Sequence, residues 1–213
     1  MSPEEHVVTS YETTNLTDQA LNELVNLIGP IYLRFYPSSS KERILKRLRH
    51  NKSTVLDLLS VNQTVCAFGI HYLLKIGDKS ILFRDGTMVN DSEQSKGYYR
   101  LLVQHALDKY SPDFMATRTQ NPRVYEMLRK FSATGSIYPS EGIVPPQGVV
   151  IIAHSLCLEG KLDPETLAVK DVYAKGQGRE DAQFFLVRDE KVRDFFKRSL
   201  AKSDAFIVVV PIK

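Results

Sequence analysis

The segment Val89-Asn-Asp-Ser-Glu-Gln94-Ser-Lys-Gly97-Tyr98-Tyr99-Arg100 connects a predicted β-strand to a predicted helix. A helix start presents backbone N–H groups that lack intrahelical partners, and the helix dipole adds a partial positive charge there. Phosphate groups bind well at such a start. Gly97 allows the backbone to approach an anion closely, and Lys96 and Arg100 add positive charge. The segment therefore predicts a phosphate or pyrophosphate site where a strand meets a helix.

The hydrophobic pattern on both sides of this segment predicts strands and helices in a definite order. Upstream we expect a strand at 6–12, two helices, and three strands joined by short turns at 54–61, 64–76 and 80–89. Downstream we expect a helix at about 95–110, a strand at 114–120, a helix starting at Asn121, a loop at 132–146, and strands at 149–158 and 205–212. The sequence thus predicts an α/β chain with an antiparallel block of strands.

The composition is that of an ordinary globular protein. The chain has 213 residues, of which 43% are hydrophobic and 25% charged, with a net charge of +3. This balance excludes a disordered chain, and the charge is too small to indicate a nucleic-acid partner. The cysteines Cys66 and Cys157 lie in apolar segments, so we expect buried thiols rather than a disulfide scaffold. With no targeting or membrane-spanning pattern visible, we expect a cytoplasmic protein without a membrane partner.

The residues Gln94-Ser95-Lys96-Gly97-Tyr98-Tyr99 resemble the phosphate-binding motif of the GNAT superfamily, the acetyl-CoA-dependent N-acetyltransferases. The motif reads Gln/Arg-x-x-Gly-x-Gly/Ala, so Gln94 and Gly97 match and Tyr99 replaces a small residue. The predicted order of elements resembles that of the family over essentially the whole chain, and the family often starts the helix after its fifth strand with Asn, as at Asn121. The resemblance implies an α/β (α+β) fold with a mixed, mostly antiparallel central sheet flanked by helices.

The resemblance also implies a single domain over residues 1–213, with an insertion at about 159–204 between the last two strands. It implies a transferase, an acyltransferase that uses acetyl-CoA as the acyl donor and requires no metal. The residues that it places around the coenzyme are Met88, Val89, Gln94, Ser95, Lys96, Gly97, Tyr98, Tyr99, Arg100 and Asn121. Backbone N–H groups near Val89 are expected to polarise the thioester carbonyl. The sequence contains no Cys-x-x-Cys or His-Glu-x-x-His pattern that would indicate zinc.

Two residues are candidates for the proton transfers that accompany acetylation of an amine. Strand alternation predicts that Phe83, Asp85, Thr87 and Val89 share one face, and Asp85 is the only carboxylate among them. Asp85 is therefore the candidate base, with a role as a turn or bulge acid as the alternative. Many relatives carry a tyrosine general acid seven residues after the helix-starting Asn, where this chain has Leu128. Tyr125, one turn earlier, is the candidate acid, with a packing role as the alternative.

Two further polar residues interrupt apolar strands, Asp57 and His71. Asp57 is a second candidate base, although an acid inside an apolar strand needs a partner and is also consistent with a structural role. A lone histidine in such a strand is usually a core residue, and this is the interpretation of His71.

The sequence leaves two functions open. The first is acetylation of a primary amine, with the acceptor (a small molecule, a peptide or a protein) and the acyl chain length undetermined. The second is a catalytically degenerate GNAT fold that senses a ligand or binds a protein, which Tyr99 and Leu128 favour. Tyr99 lies on the predicted apolar face of its helix, so we expect its ring to pack against the sheet. A homodimer is common in the family and is compatible with the β-branched last strand.

Overall fold

The computed structural model describes residues 5–50, 53–157, 161–173 and 187–213. In this part of the chain there are seven β-strands: β1 (His6–Glu12), β2 (Thr54–Val61), β3 (Thr64–Ile76), β4 (Lys79–Val89), β5 (Phe114–Thr119), β6 (Ala168–Val169) and β7 (Ala205–Pro211). There are also six α-helices: α1 (Asp18–Phe35), α2 (Lys41–Leu48), α3 (Tyr98–Tyr110), α4 (Pro122–Arg129), α5 (Gln147–Leu156) and α6 (Glu190–Ser199). The predicted α/β class, with a mixed and mostly antiparallel sheet, is confirmed.

The chain divides into two compact units. The first comprises Met1–Leu74 and Arg84–Ser111, and the second comprises Lys75–Phe83 and Pro112–Lys213. Strand β4 contributes its first half to the second unit and its second half to the first. That residues 1–213 form a single domain stays a prediction.

The first unit contains the strand order β1-β2-β3-β4. Strand β2 pairs antiparallel with both β1 and β3, and the register places Ser10 opposite Asp57 and Asp57 opposite Gly69. These three residues therefore share one face of the sheet. Helix α3 packs on these strands through a buried cluster of Leu59, Cys66, Ala67, Tyr98 and Leu102. Cys66 is buried in this cluster, as the sequence predicted.

Helices α1 and α2 of the first unit both begin at a hydroxyl residue. The side chain of Thr17 accepts a hydrogen bond from the N–H of Ala20, and that of Ser40 accepts one from the N–H of Arg43. Such caps satisfy backbone donors that the helix itself leaves without partners. Helix α2 buries Ile44 and Leu48 and directs most of its basic side chains outward.

The second unit contains the strand order β4-β5-β7-β6. Strand β7 pairs antiparallel with β5 along its length and with the two residues of β6. Helix α4 begins after Asn121, whose side chain accepts a hydrogen bond from the N–H of Arg123, so the predicted N-cap is confirmed. Among the described residues of the whole chain, no helix is both long and apolar enough to cross a membrane.

The strand predicted at 149–158 is wrong, because residues 147–156 form helix α5. Its buried residues recur at helical spacing: Val149, Ile152, Ala153 and Leu156. The β-branched and apolar residues of this segment suggested a strand, but the 3.6-residue spacing of the buried ones is that of a helix. The predicted insertion at 159–204 lies partly outside the described residues, which omit 158–160 and 174–186, and its role stays a prediction.

Gly69 permits a close packing arrangement in the centre of the first unit. A Cβ atom at this position would lie 2.9 Å from Nε2 of His71, whose side chain is fully buried. We therefore expect Gly69→Ala to destabilise the protein by about 1–3 kcal/mol, because a buried ring has to move. Urea unfolding measures the change.

Gly148→Ala is the matched control for this experiment. Gly148 lies in the first turn of α5, and a Cβ atom added there would have no other atom within 4 Å. Alanine at this position should therefore be neutral or stabilise the protein by up to about 1 kcal/mol. An unfolding midpoint of Gly69→Ala equal to that of the wild type would contradict the packing assigned to His71.

Candidate active site

The loop between β4 and α3 has two residues in the left-handed backbone region. After β4 ends at Val89, a short 3₁₀ turn spans Asp91–Glu93, and α3 then begins at Tyr98. Ser95 has φ +68° and Gly97 has φ +85°. A left-handed conformation favours glycine, and a Cβ atom at Gly97 would have no other atom within 4 Å. The space beside Gly97 is therefore open to an approaching group.

The start of α3 has the features of an anion site. Its N-cap residue is Gly97, and no side chain of the cap accepts a hydrogen bond from the first turn. The first N–H groups of a helix have no intrahelical partner and carry partial positive charge, which favours a phosphate group. The predicted residues Gln94–Arg100 form the end of the loop and the first turn of α3, and their contact with the pyrophosphate of a coenzyme stays a prediction.

Polar side chains of this loop make local contacts. Gln94 donates a hydrogen bond from Nε2 to Oδ1 of Asp91, at 2.8 Å, and Lys96 pairs with Glu93 at 2.9 Å. Asp91 also forms an ion pair with Arg34 of α1. Both acidic side chains in the turn therefore have cationic partners, which reduces their repulsion of an anion. Arg100 is exposed in the first turn of α3.

The two tyrosines that open α3 have different surroundings. Tyr98 is buried in the core cluster, and its ring lies edge-on to that of His6 with centroids 5.3 Å apart. Tyr99 is half-buried. The helical pattern indicated Tyr99 as the buried residue, whereas Tyr98 is the more buried of the two. Met88 and Val89, also predicted around the coenzyme, end β4; Met88 is buried and Val89 packs against the core cluster.

Tyr99 contacts Arg84, a residue that the sequence analysis did not identify. Arg84 is only 2% exposed, and its Nη1 donates a hydrogen bond to the hydroxyl of Tyr99 at 2.5 Å. The guanidinium carbon also lies 4.6 Å from the centre of the Tyr99 ring. Nη2 donates to Oγ1 of Thr87. The expectation that the Tyr99 ring faces the sheet is met, through an arginine of β4 rather than through apolar contact.

Asp85, the candidate base, lies in a hydrogen-bonded cluster with Arg47. Arg47 Nε donates to Oδ2 of Asp85 at 2.6 Å, and the hydroxyl of Tyr72 donates to the same oxygen at 2.8 Å. Arg47 also contacts the backbone oxygen of Asp85 and the hydroxyl of Tyr32. Burial and the charge of Asp85 raise the pKa of Tyr72. These donors stabilise a charged carboxylate, and the role of Asp85 as a base stays a prediction.

Strand alternation does not group the side chains of β4 as the sequence predicted. Thr87 was expected to share a face with Asp85, yet Thr87 accepts a hydrogen bond from Arg84 while Asp85 contacts Arg47 and Tyr72. Successive strand residues point to opposite faces, so in a regular strand Thr87 would lie on the face of Asp85 and opposite to Arg84. The alternation therefore breaks between Arg84 and Thr87, a stretch that contains Gly86.

Asp57 and His71 form a buried pair. Nε2 of His71 lies 3.0 Å from Oδ2 of Asp57, and both side chains are fully buried. Burial lowers the pKa of His71, so the ring is neutral. Burial alone would raise the pKa of Asp57, but the contact with His71, a hydrogen bond from Ser10 and the nearby His105 together outweigh burial and lower this pKa. The sequence predicted a core position for His71, but nothing in it showed that Asp57 is the partner.

Tyr125, the candidate acid, is packed in the second unit. It is 3% exposed, and its hydroxyl donates a hydrogen bond to the backbone oxygen of Pro139 at 2.7 Å. Its ring lies edge-on to Phe196, and burial raises its pKa to about 12. Leu128 is also buried. These contacts are those of a packed side chain, and the catalytic role of Tyr125 stays a prediction.

Metal ligands do not cluster in the part of the chain that the structure describes. No three His, Cys, Asp or Glu side chains within it come together in a group that could hold an ion.

Comparison with known proteins gives matches in structure only. No protein-family model matches the sequence, and no curated protein matches it. Among solved structures, the ribosomal-protein-S18-alanine N-acetyltransferase of Escherichia coli is 14% identical with a TM-score of 0.47, covering 98% of this chain and 95% of that one. The IAA acetyltransferase of Bacillus cereus is 13% identical with a TM-score of 0.48, covering 97% of this chain and 99% of that one.

A third similar structure is an aminoglycoside acetyltransferase from an uncultured soil metagenomic sample. It is 12% identical with a TM-score of 0.48, and the match covers 66% of this chain and 93% of that one. The chain is similar to these three acetyltransferases only at identities of 12–14% and TM-scores of 0.47–0.48. At these identities and scores the likeness carries no information on substrate.

The cluster around Asp85 predicts different effects for two arginines of α2. Arg47→Ala removes the cation from a mostly buried carboxylate, so we expect a loss of about 2–3 kcal/mol of stability. Arg43→Ala is the matched control, because Arg43 is exposed on the same helix and its loss should change stability by less than about 0.5 kcal/mol. Chemical denaturation measures both. Equal effects of the two substitutions would show that the Arg47 contacts add nothing.

The buried pair predicts a pH dependence of stability. The pKa of His71 is lower in the folded than in the unfolded chain, so the unfolded chain binds more protons once the pH falls below about 6.5. Stability is therefore present above that pH and is lost as the pH falls. The lowered pKa of Asp57 acts in the same direction in the acid range.

His71→Gln removes this titration, so we expect its melting temperature to change less between pH 7 and pH 5 than that of the wild type. The control is His154→Gln, which replaces an exposed histidine of α5 and should keep the wild-type slope. Calorimetric melts at several pH values measure both. A wild-type slope in His71→Gln would refute the assignment.

Proposed function

We propose that this chain is an N-acetyltransferase of the GNAT type, which transfers the acetyl group of acetyl-CoA to a primary amine. The observation that carries the proposal is the loop between β4 and α3, with its left-handed Ser95 and Gly97 and an uncapped helix start. Its support is the order of elements around the loop, in which the three consecutive strands β2, β3 and β4 directly precede it, and β5 and α4 come after α3. The motif that the sequence resembles occupies this position.

Each residue has a proposed task in this reaction. The N–H groups that open α3 bind the pyrophosphate, and the side chains of Lys96 and Arg100 add positive charge. Asn121 and the backbone of Met88 and Val89 complete the predicted coenzyme contacts. Acetyl-CoA supplies the activated acyl group when bound.

Acid–base chemistry on the acceptor falls to the two candidate residues. Asp85 accepts a proton from the substrate ammonium, since an amine must be neutral to attack. Tyr125 donates a proton to the departing thiolate, which leaves as the thiol. The acceptor is a small-molecule, peptide or protein amine, and the acyl donor includes a longer acyl thioester as an alternative. We place the enzyme in the cytoplasm, without a nucleic-acid or membrane partner, and a homodimer is compatible with the proposal.

A second candidate function is a non-catalytic GNAT fold that senses a ligand or binds a protein. It is favoured by the contacts of both candidate catalytic residues. Asp85 accepts hydrogen bonds from Arg47 and Tyr72, and the hydroxyl of Tyr125 donates to a backbone carbonyl. In this alternative the groups that would transfer protons serve to pack the fold.

The test of the proposed function is calorimetric titration with acetyl-CoA and with CoA alone. We expect micromolar binding of both to the wild-type protein. Gly97→Glu should weaken binding about tenfold or more, because it places bulk and negative charge where the pyrophosphate lies. Thiol release in the presence of candidate amines then distinguishes the enzyme from the non-catalytic alternative.

Gly77→Glu is the control for Gly97→Glu. Gly77 also has a positive φ, +62°, and no atom within 4 Å of an added Cβ, so the two substitutions impose similar local strain. We expect Gly77→Glu to bind CoA as the wild type does. If folded Gly97→Glu also bound CoA unchanged, the phosphate site would not be at this loop. Absence of binding to the wild type would overturn the proposed function itself.

A further inference from the structure

A buried guanidinium connects the two ends of the loop that precedes α3. Arg84 donates hydrogen bonds to Thr87, two residues before the end of β4, and to Tyr99, the second residue of α3. Residues 90–97 lie between these two contacts along the chain. We call Arg84, Thr87 and Tyr99 the Arg84 cluster. A single side chain therefore fixes the strand before the loop relative to the helix after it.

Tyr99 makes two separate contacts in this cluster. Its hydroxyl accepts a hydrogen bond from Nη1 of Arg84, and its ring lies under the guanidinium at 4.6 Å. Side chains in a helix lean toward its N-terminus, so a residue in the first turn of α3 is well placed to reach back to β4. Replacement by phenylalanine would keep the ring contact and remove the hydrogen bond. Replacement by alanine would remove both.

Arg84 needs these partners because it is 2% exposed. A buried cation is costly unless hydrogen bonds and favourable charges surround it. The Tyr99 hydroxyl, the Tyr99 ring and the Thr87 hydroxyl supply such contacts. The position of the α3 first turn is thereby tied to a side chain that has little freedom to move.

We infer that Tyr99 is a positioning residue, which acts through Arg84 to hold the first turn of α3 in the geometry that binds a diphosphate. The inference rests on the proposed function. The inference gives a role to Tyr99, which stands where the GNAT motif has a small residue. The tyrosine ring lies on Arg84, and so the bulk of Tyr99 is engaged with β4. A loop whose two ends are already fixed loses less conformational entropy when it binds its ligand.

The experiment compares CoA with pantetheine, which has the same thiol arm and lacks the diphosphate together with the adenosine 3′-phosphate. Both are titrated calorimetrically into the wild type, Tyr99→Phe and Tyr99→Ala. We expect Tyr99→Phe to raise the Kd for CoA about fivefold, as for loss of one net hydrogen bond, and Tyr99→Ala to raise it further. The Kd for pantetheine should stay at the wild-type value in both variants, because the arm does not contact the diphosphate site.

Tyr110→Phe is the matched control, since it removes a tyrosine hydroxyl from the opposite end of the same helix. Its affinity for CoA should equal that of the wild type. Circular dichroism and melting temperature confirm that each variant is folded. Tyr99→Phe keeps the ring in place, so it tests the inference even where Tyr99→Ala does not fold.

The other outcomes separate the inference from the function on which it rests. If Tyr99→Ala bound CoA more tightly than the wild type, the ring would be an obstruction and the inference would be wrong. Equal losses of CoA and pantetheine affinity would indicate a general structural role and would also overturn it. If both variants bound CoA with wild-type affinity, the inference alone would fail. If the wild type bound no CoA, the proposed function would fail with it.

Discussion

The burial of the Arg84 guanidinium is the constraint on which the first unit depends. Removing a cation from water is unfavourable by several kcal/mol, about as much as the whole stability of a small domain, unless partners surround it. Two of its partners are Thr87, near the end of β4, and Tyr99, at the start of α3. Holding both contacts requires that residues 90–97, which lie between them along the chain, close into a loop of fixed span. The left-handed conformations of Ser95 and Gly97 make so tight a return possible.

Adjacent residues of β4 serve opposite sides of the sheet in the first unit. Arg84 contacts Tyr99 of α3, whereas Asp85 contacts Arg47 of α2. Successive strand residues point to opposite faces, so one strand anchors a helix on each face by a polar contact. Asp57 and His71 add a third buried polar contact on β2 and β3. Apolar burial supplies most of the driving force for packing, while these directional contacts fix which helix face meets which strand.

Local pattern predicted much of this fold, and it failed at one helix and at the long-range polar contacts. The strands at 54–61, 64–76 and 80–89, the N-cap at Asn121 and the helix predicted at about 95–110, which begins at Tyr98, follow from periodicity and turn chemistry, which neighbouring residues set. Helix α5 was missed because a β-branched run suggested a strand although its buried residues repeat every 3.6 positions. The pairs Asp57–His71 and Arg84–Tyr99 join residues 14 and 15 apart. Their contact depends on strand register and helix placement, which local patterns in a single sequence do not reveal.

Binding and catalysis place different demands on this fold, and the structure meets them unequally. A phosphate site needs backbone N–H groups and open space, which the start of α3 offers and which the contact between Arg84 and Tyr99 holds in place. Proton transfer needs a group that is able to exchange its partner, and both candidates already have one: Arg47 for Asp85, and the Pro139 carbonyl for Tyr125. Catalysis through either residue requires that contact to be replaced by one with substrate. If the chain binds the coenzyme as proposed, turnover depends on an acceptor that competes successfully for Asp85 or supplies its own proton to the thiolate.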